Sequence, residues 1–154
     1  MNVRSTDADA KKIRTAKIPA GDLRPDLNGL RYKVAEEEAP FFIIMGGKRR
    51  WIQDLNTWDT VFHDAEFHVD AYVADIAEGD PIKSRTFLAR NEHSGEVCLV
   101  EDDIDVVHPV TTLEVLDRYG MGDGHLEHFS EYAYDALLKG KTRRVLTKDW
   151  ADVQ

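Results

Sequence analysis

Residues 41–52 read Phe-Phe-Ile-Ile-Met-Gly-Gly-Lys-Arg-Arg-Trp-Ile, and the interpretation of the whole chain begins from this stretch. Its first five residues are apolar and match the length of one strand. Gly46 and Gly47 follow, and glycine tolerates the positive φ angles of a tight hairpin turn. The chain then returns through Arg49-Arg50-Trp51-Ile52. The sequence therefore predicts a β-hairpin over residues 41–52.

The same pattern recurs further along the chain. A shift of 55 residues places Phe42-Ile43-Ile44-Met45 on Val97-Cys98-Leu99-Val100 and Trp51-Ile52 on Val106-Val107. A second signature, an aliphatic residue followed three positions later by glycine, occurs at residues 18–21, 76–79 and 137–140. Self-similarity at a fixed period is typical of repeat architectures. We therefore predict two repeats, at about 18–80 and 81–141.

Each repeat is expected to add an extra strand, at residues 30–34 or 82–90, and short helices to its hairpin. Candidate N-caps are Asn56 or Thr57 in the first repeat, and Thr111 or Thr112 and then Ser130 in the second. A further helix is expected at about 71–77. The predicted fold is α+β: two tandem repeats of a β-hairpin plus short helices, packed into one small domain. We expect this domain at residues 18–146, after a mobile basic leader (1–17) and before a C-terminal tail (147–154).

Composition excludes several classes of protein. The chain has 154 residues, 42% hydrophobic and 32% charged, with a formal net charge of −9. Such a composition is that of a folded, acidic, soluble protein, and it argues against nucleic acid or a membrane as partner. Cys98 is the single cysteine, which excludes an internal disulfide and favours a reducing compartment. Because the N-terminus lacks an apolar signal core, we expect a cytoplasmic protein.

The run Gly47-Lys48-Arg49-Arg50-Trp51-Ile52, with Asp54, Thr57 and the later Ile76-x-x-Gly79, resembles a short module of bacterial, often cell-surface, proteins. The resemblance covers residues 39–80 well and 96–141 weakly, since the second copy lacks the Gly-Lys-Arg-Trp face. The module has no settled activity. It implies a binding or wall-associated role rather than catalysis, although the expected lack of an export signal departs from a surface setting.

The first hairpin and the turn after it supply candidate ligand-binding residues. Flat aromatic rings flanked by polar side chains suit saccharides, whose C–H faces stack while their hydroxyls form hydrogen bonds. The candidates are Trp51 for stacking, Arg49 or Arg50 for hydroxyl or acidic groups, Asp54 and Asn56 for hydrogen bonds, and Trp58. Trp58 also fits a helix core position, as Phe41, Phe42 and Phe62 fit the core. These residues predict a non-enzymatic, lectin-like protein that binds a saccharide or similar polar ligand without a cofactor.

Reversed charges on the two hairpins support a different function. Lys48-Arg49-Arg50 aligns with Asp103-Ile104-Asp105, which follows Glu101 and Asp102. Opposite patches can pair within one molecule or join neighbours head to tail. The alternative is thus a protein-interaction module that self-assembles into a homo-oligomer. Simple solvation of the turns, or calcium binding by Asp102, Asp103 and Asp105, are further interpretations.

A third hypothesis is a metal-dependent enzyme. Glu66, His68 and Asp70 alternate, so they would share one face of a strand, and His128 could complete a site with imidazole and carboxylate ligands. A half-exposed strand has the same pattern. Cys98 lies within an apolar segment, where a thiol stays protonated, and no serine lies in a nucleophile motif. We therefore expect no enzymatic activity and no resident metal.

Overall fold

The computed structural model of the chain describes residues 21–37, 40–63 and 65–148. The leader expected at residues 1–17 lies outside these ranges, as do residues 149–154 of the expected tail. The described residues form two β-sheets and several short helices, so the α+β class is confirmed.

The first sheet contains the predicted hairpin. Its four strands lie in the order β3 (Lys48–Ile52), β2 (Phe41–Met45), β1 (Arg31–Lys33) and β4 (His68–Val69). Gly46 and Gly47 turn the chain between β2 and β3 with φ angles of 59° and 79°. β1 and β2 are antiparallel, as are β2 and β3, whereas β4 runs parallel to β1. The Gly-Gly pair therefore sets the hairpin as the sequence predicts.

The second sheet has five strands, in the order β8 (Leu126–Phe129), β5 (Thr86–Asn91), β6 (Val97–Glu101), β7 (Val106–Val110) and β9 (Thr142–Arg143). β5, β6 and β7 are antiparallel neighbours, and β8 and β9 pair parallel to β5 and β7. The return strand of the second hairpin, β7, begins at Val106. The 3₁₀ turn Asp102–Ile104 precedes it, and Asp105 closes this turn with a φ of 55°.

Within the described ranges, three α-helices follow the strands: α1 (Leu55–Thr57), α2 (Leu113–Arg118) and α3 (Glu131–Leu138). Thr112 caps α2 and Ser130 caps α3, as predicted, with each hydroxyl accepting a backbone N–H. The predicted cap of α1 is wrong. Asp54 caps α1 because its carboxylate accepts the N–H of Asn56 at 3.3 Å, so the helix begins earlier than Asn56 or Thr57 would allow.

Less regular turns complete the helical segments of the described ranges, beginning with a 3₁₀ turn at Pro25–Leu27 before β1. After α1 the chain widens into a π turn, Trp58–Phe62, in which the N–H of His63 donates to the carbonyl of Trp58 at 3.0 Å. The helix expected at 71–77 is a 3₁₀ helix, Ala71–Asp75, capped by Asp70. The Asp70 carboxylate therefore accepts a backbone N–H at the N-terminus of this 3₁₀ helix.

Three apolar clusters define the layers. The largest lies between the sheets and joins Ile43 and Ile52 of the first sheet to Leu88 and Leu99 of the second. A second packs α3 on the outer face of the second sheet, through Tyr134. A third packs the 3₁₀ helix Ala71–Asp75 on the outer face of the first sheet. The central core is thus shared, and each half of the chain supplies one of its walls.

In the described part of the chain, no helix is a candidate for crossing a membrane. Within residues 21–37, 40–63 and 65–148, no helix combines the length and the apolarity that a bilayer span requires.

Candidate functional site

A polar cleft of about 200 Å³ opens where α1 of the first half meets the second sheet. Ten residues from three separate segments line it: Asn56, Thr57, Thr60, Val61, Ser84, Thr86, Phe87, Leu88, His125 and Glu127. We call this feature the inter-sheet cleft.

One wall of the inter-sheet cleft is the segment that begins at the Asp54 cap. The Thr57 hydroxyl donates to the Asp54 carboxylate at 3.3 Å, and the Thr60 hydroxyl donates to the carbonyl of Asn56 at 2.9 Å. These two hydrogen bonds hold the conformation of the segment that forms this wall. The Asn56 side chain is exposed and makes no hydrogen bond within the described part of the chain. Its amide can therefore donate to and accept from a ligand.

The opposite wall is the edge of the second sheet. His125 and Glu127 alternate along the chain as it enters β8, which places both on the same side of the strand. The N–H of His125 donates to the carbonyl of Thr60 at 2.7 Å and joins the two walls. Within the described ranges, the side chains of Ser84, His125 and Glu127 take part in no hydrogen bond or ion pair.

The chemistry of the inter-sheet cleft is that of a small-molecule site. Val61 and Leu88 are buried, with exposures of 1% and 0%, so their side chains belong to the central core behind the cleft. The Phe87 ring packs on the outer face of the second sheet, 6.5 Å from the Phe129 ring, while the polar lining residues supply an amide, hydroxyls, an imidazole and a carboxylate. None of the lining residues is lysine or arginine. Apolar contact with a few converging polar groups is how proteins hold polar ligands in a fixed orientation.

Of the predicted hairpin residues, Trp51 and Arg49 lie on the outer face of the first sheet. Trp51 is 42% exposed and pairs in register with Phe42 of β2. The Arg49 guanidinium lies over the Phe42 ring at 5.7 Å, and its Nε donates to the carbonyl of Ile76 at 2.9 Å. These two residues form a surface separate from the inter-sheet cleft, since neither of them lines it.

Arg50 and Trp58 point into the molecule instead. Trp58 is 6% exposed and stacks on Phe41 with ring centroids 3.9 Å apart. Arg50 is 7% exposed and donates to the two carboxylate oxygens of Glu101 at 2.7 and 2.5 Å. It also donates to the carbonyl of Asp80 at 2.6 Å. Both side chains therefore build the interior, and neither is available to a ligand at the surface.

Glu101 is the centre of a buried charge cluster that joins the two sheets. Its carboxylate also lies 2.5 Å from His108 Nε2, while His108 Nδ1 lies 2.9 Å from the carbonyl of Arg144. Both ring nitrogens face acceptors, so both hydrogen bonds form together only when the ring carries two protons. Burial alone would raise the pKa of Glu101, but the hydrogen bonds and charges of His108 and Arg50 outweigh it and hold that pKa at about 2.

Asp54 and Asn56, the last two predicted residues, have different roles. Asp54 caps α1, and Asn56 is the one member of the predicted set that lines the inter-sheet cleft. No motif or spacing in the sequence indicated Ser84, Thr86 or Glu127 as binding residues. Short polar residues at strand ends carry no periodic signal, and only the fold brings residues 56, 84 and 127 together.

Several of the residues that suggested a metal site in the sequence contact other groups in the structure. His68 lies against the Tyr32 ring at 5.3 Å, and His128 pairs with Glu92. Asp102 pairs with Lys141 at 3.1 Å and with Arg85, and the hydrogen bond from Lys141 lowers its pKa. Across the described ranges, no group of three or more histidine, cysteine, aspartate or glutamate side chains could hold a metal ion.

Cys98 lies fully buried on β6, and burial raises the pKa of its thiol.

A comparison of the chain with known protein families, curated proteins and solved structures finds no match.

Proposed function

We propose that this chain is a binding protein for a saccharide or a similar polar ligand, and that the inter-sheet cleft is its binding site. The observation that carries the proposal is the lining of this cleft, in which the side chains of Asn56, Ser84 and His125 make no hydrogen bond within the described ranges. Asn56 lines this cleft and is also one of the binding residues predicted from the sequence.

The available groups match the needs of a sugar. A sugar hydroxyl both donates and accepts hydrogen bonds, as do the Asn56 amide and the Ser84 hydroxyl. Glu127 adds a strong acceptor, and hydrogen bonds to an ionised group are the stronger kind.

The outer face of the first hairpin is the competing location for the same function. Trp51 is exposed there beside Arg49, which suits stacking with a sugar ring. We favour the inter-sheet cleft because it is concave and presents polar groups from three segments, whereas Arg49 is already bonded to the carbonyl of Ile76.

A glycan array probed with two variants separates these locations. Asn56→Ala removes an exposed amide that caps no helix, so its fold should be retained. We expect it to weaken binding of any hit about tenfold, while Trp51→Ala leaves the hit unchanged. Binding that is lost in Trp51→Ala and kept in Asn56→Ala would move the site to the hairpin. An array without any hit would contradict the saccharide proposal.

We also propose that the two halves are tandem repeats of the kind that the resemblance implies. The strand orders β4-β1-β2-β3 and β8-β5-β6-β7 support this, because the pairing directions agree at each step. Beyond these strands, residues 78 and 82 bridge parallel to β3, much as β9 pairs parallel to β7.

Self-assembly through the hairpin charges is the less favoured proposal. Arg50 pairs with Glu101, and Asp102 and Asp103 pair with Arg85. These contacts lie within one molecule, so they satisfy the charges on which a head-to-tail contact would depend.

A further inference from the structure

Residues 142–147 lie along the edge of β7 that faces away from β6, and we call them the C-terminal strap. The backbone N–H groups of residues 142, 144 and 146 donate to carbonyls of residues 105, 107 and 109 at 2.8 to 3.1 Å. The Leu146 side chain is 4% exposed and packs in the central core. The strap is thus held by a short parallel ladder and one apolar side chain.

His108 of β7 adds a side-chain bond to the strap. Its Nδ1 lies 2.9 Å from the carbonyl of Arg144, and its Nε2 lies 2.5 Å from the Glu101 carboxylate. Both partners only accept, so a ring with one proton keeps only one of the two bonds. Glu101, with a pKa of about 2, is ionised at neutral pH, and a hydrogen bond to a carboxylate is the stronger kind. The bond to the strap is therefore the one that is lost, and its proton goes to water.

The first half of the chain makes the same contact with a side chain that does not titrate. Residues 78 and 82 bridge parallel to β3, as the strap pairs parallel to β7. There the Arg50 Nε donates to the carbonyl of Asp80 at 2.6 Å. Arginine stays protonated in proteins, whereas histidine ordinarily changes its charge between pH 5 and 8. The two halves therefore use a permanent donor and a titratable donor for equivalent bonds.

Charged groups on three neighbouring elements surround the His108 ring. Glu101 of β6 favours the ring with two protons, while Arg50 of β3 shares that carboxylate and opposes it. Lys48 lies on the same side of β3 as Arg50. The register of β7 with the strap places Arg144 beside His108, and the buried Arg144 Nε has no hydrogen-bond partner in the described part of the chain. Release of the strap would hydrate this donor, which makes the strap an element that is poised to detach.

We propose that His108 is a proton-dependent latch, which holds the C-terminal strap on β7 when the ring carries two protons and loosens it when the ring carries one. The strap is held at lower pH and loosened as pH rises. Loosening frees the backbone groups along this edge of β7 and withdraws Leu146 from the central core. The inference goes beyond the proposed function, because neither His108 nor any residue of the strap lines the inter-sheet cleft.

Hydrogen exchange of the natural chain between pH 5.5 and pH 8.5, followed by NMR, tests the latch. The protection factor of the Leu146 amide, which divides out the intrinsic exchange rate, is compared with that of the Ile82 amide. Ile82 donates to the carbonyl of Trp51 at 2.7 Å in the equivalent segment of the first half. Global unfolding exposes both amides, so their ratio reports the strap alone. We expect the ratio of Leu146 to Ile82 protection to fall about tenfold as pH rises.

Two variants assign the pH dependence to one ring. In His108→Gln the ratio should be independent of pH, because glutamine does not titrate. His93→Gln is the matched control, since this histidine is exposed, with 74% of its side chain accessible, and should leave the dependence unchanged. Thermal unfolding of both variants verifies their folding.

The outcomes separate the latch from other causes. A ratio that falls at the pH where the ring nitrogens of His108 titrate is the expected result, and the natural chain alone supplies it if His108→Gln does not fold. A ratio that stays constant, or that changes at a different pH from the ring, would overturn the proposal. Dependence that persists in His108→Gln, or that disappears in His93→Gln, would also overturn it.

Discussion

Glu101 and its two partners, Arg50 and His108, connect strands that are distant in sequence. Arg50 lies 51 residues before Glu101, and His108 lies seven after it. All three side chains are buried, with exposures of 3% for Glu101, 7% for Arg50 and 6% for His108. Since burying a charge is costly, each partner depends on the others for its stability.

Replacement of Glu101 by glutamine should destabilise the protein strongly. The variant leaves Arg50 buried without a counter-charge, and breaking such a buried pair costs about 3–5 kcal/mol. Urea unfolding of both proteins measures the difference. Asp103→Asn is the control, because Asp103 makes only a 3.8 Å contact with the exposed Arg85 and should cost less than about 1 kcal/mol. Equal effects of the two substitutions would contradict the account.

The same cluster predicts how stability depends on pH. The pKa of Glu101 is about 2 in the folded protein, against an ordinary value of 4.5 for a glutamate. Because the folded-state pKa is the lower one, this carboxylate stabilises the fold fully above about pH 4.5, and the contribution is lost as pH falls towards 2. The loss amounts to about 3 kcal/mol.

Urea unfolding between pH 6 and pH 2 checks this dependence. Glu101→Gln should show a shallower decline than the natural chain over the acidic part of the range, since the glutamine does not titrate. Parallel curves for the two proteins would mean that Glu101 does not titrate with a lowered pKa.

At the scale of elements, the turn after α2 depends on one glycine. Gly120 has a φ of 74°, and a Cβ at this position would lie 2.6 Å from Arg31 Cζ. The turn therefore sets both the end of α2 and the room for the buried guanidinium. Gly140 has a similar φ of 82°, but a Cβ there would meet no atom within 4 Å.

The pair Gly120→Ala and Gly140→Ala separates backbone strain from crowding. Gly140→Ala should cost about 1–2 kcal/mol, which is the usual penalty of the left-handed region. Gly120→Ala should cost about 1–3 kcal/mol more, because the methyl group displaces the Arg31 guanidinium from the backbone carbonyls to which it donates. Chemical denaturation of both variants gives the comparison, and equal costs would exclude crowding at Gly120.

The elements could be predicted from the sequence where their signals are local. Gly46 and Gly47 set the first hairpin, and the Ser130 hydroxyl caps α3 as its position indicates. The cap of α1 was misplaced because several polar residues in succession can cap a helix, and only the backbone geometry selects Asp54.

The site could be predicted only in part, for a related reason. Asn56 lies in the turn that the sequence indicated, but Glu127 joins it through sheet pairing that no local pattern encodes. Arg50 carries the charge expected of a binding residue, yet it alternates inward along β3 and meets Glu101. Which face of a strand is buried depends on the partner sheet, and that information is not local.

At the scale of the whole molecule, the central core has one wall from each half. Ile43, Ile52, Leu88 and Leu99 meet in this core, so separating the halves would expose both walls to water. The inter-sheet cleft has the same dependence, since α1 supplies one side and β5 with the approach to β8 supplies the other.

Residues 1–80 and 81–154 expressed separately should therefore not fold. We expect neither fragment to show a cooperative thermal transition, whereas the whole chain unfolds in one step. Circular dichroism during heating makes the comparison, with an equimolar mixture of the fragments as control. A cooperative transition in an isolated fragment would contradict the shared core.

Ligand binding in the inter-sheet cleft is the central claim, and amide chemical shifts test it most directly. ¹H–¹⁵N spectra of the whole chain, recorded during titration with a saccharide that the glycan array identifies, report every contact region at once. The account predicts that the largest shifts fall at Asn56, Thr60, Ser84, His125 and Glu127, with the Trp51 indole unmoved. Shifts centred on Trp51 and Arg49, or spread evenly over the acidic surface, would contradict it.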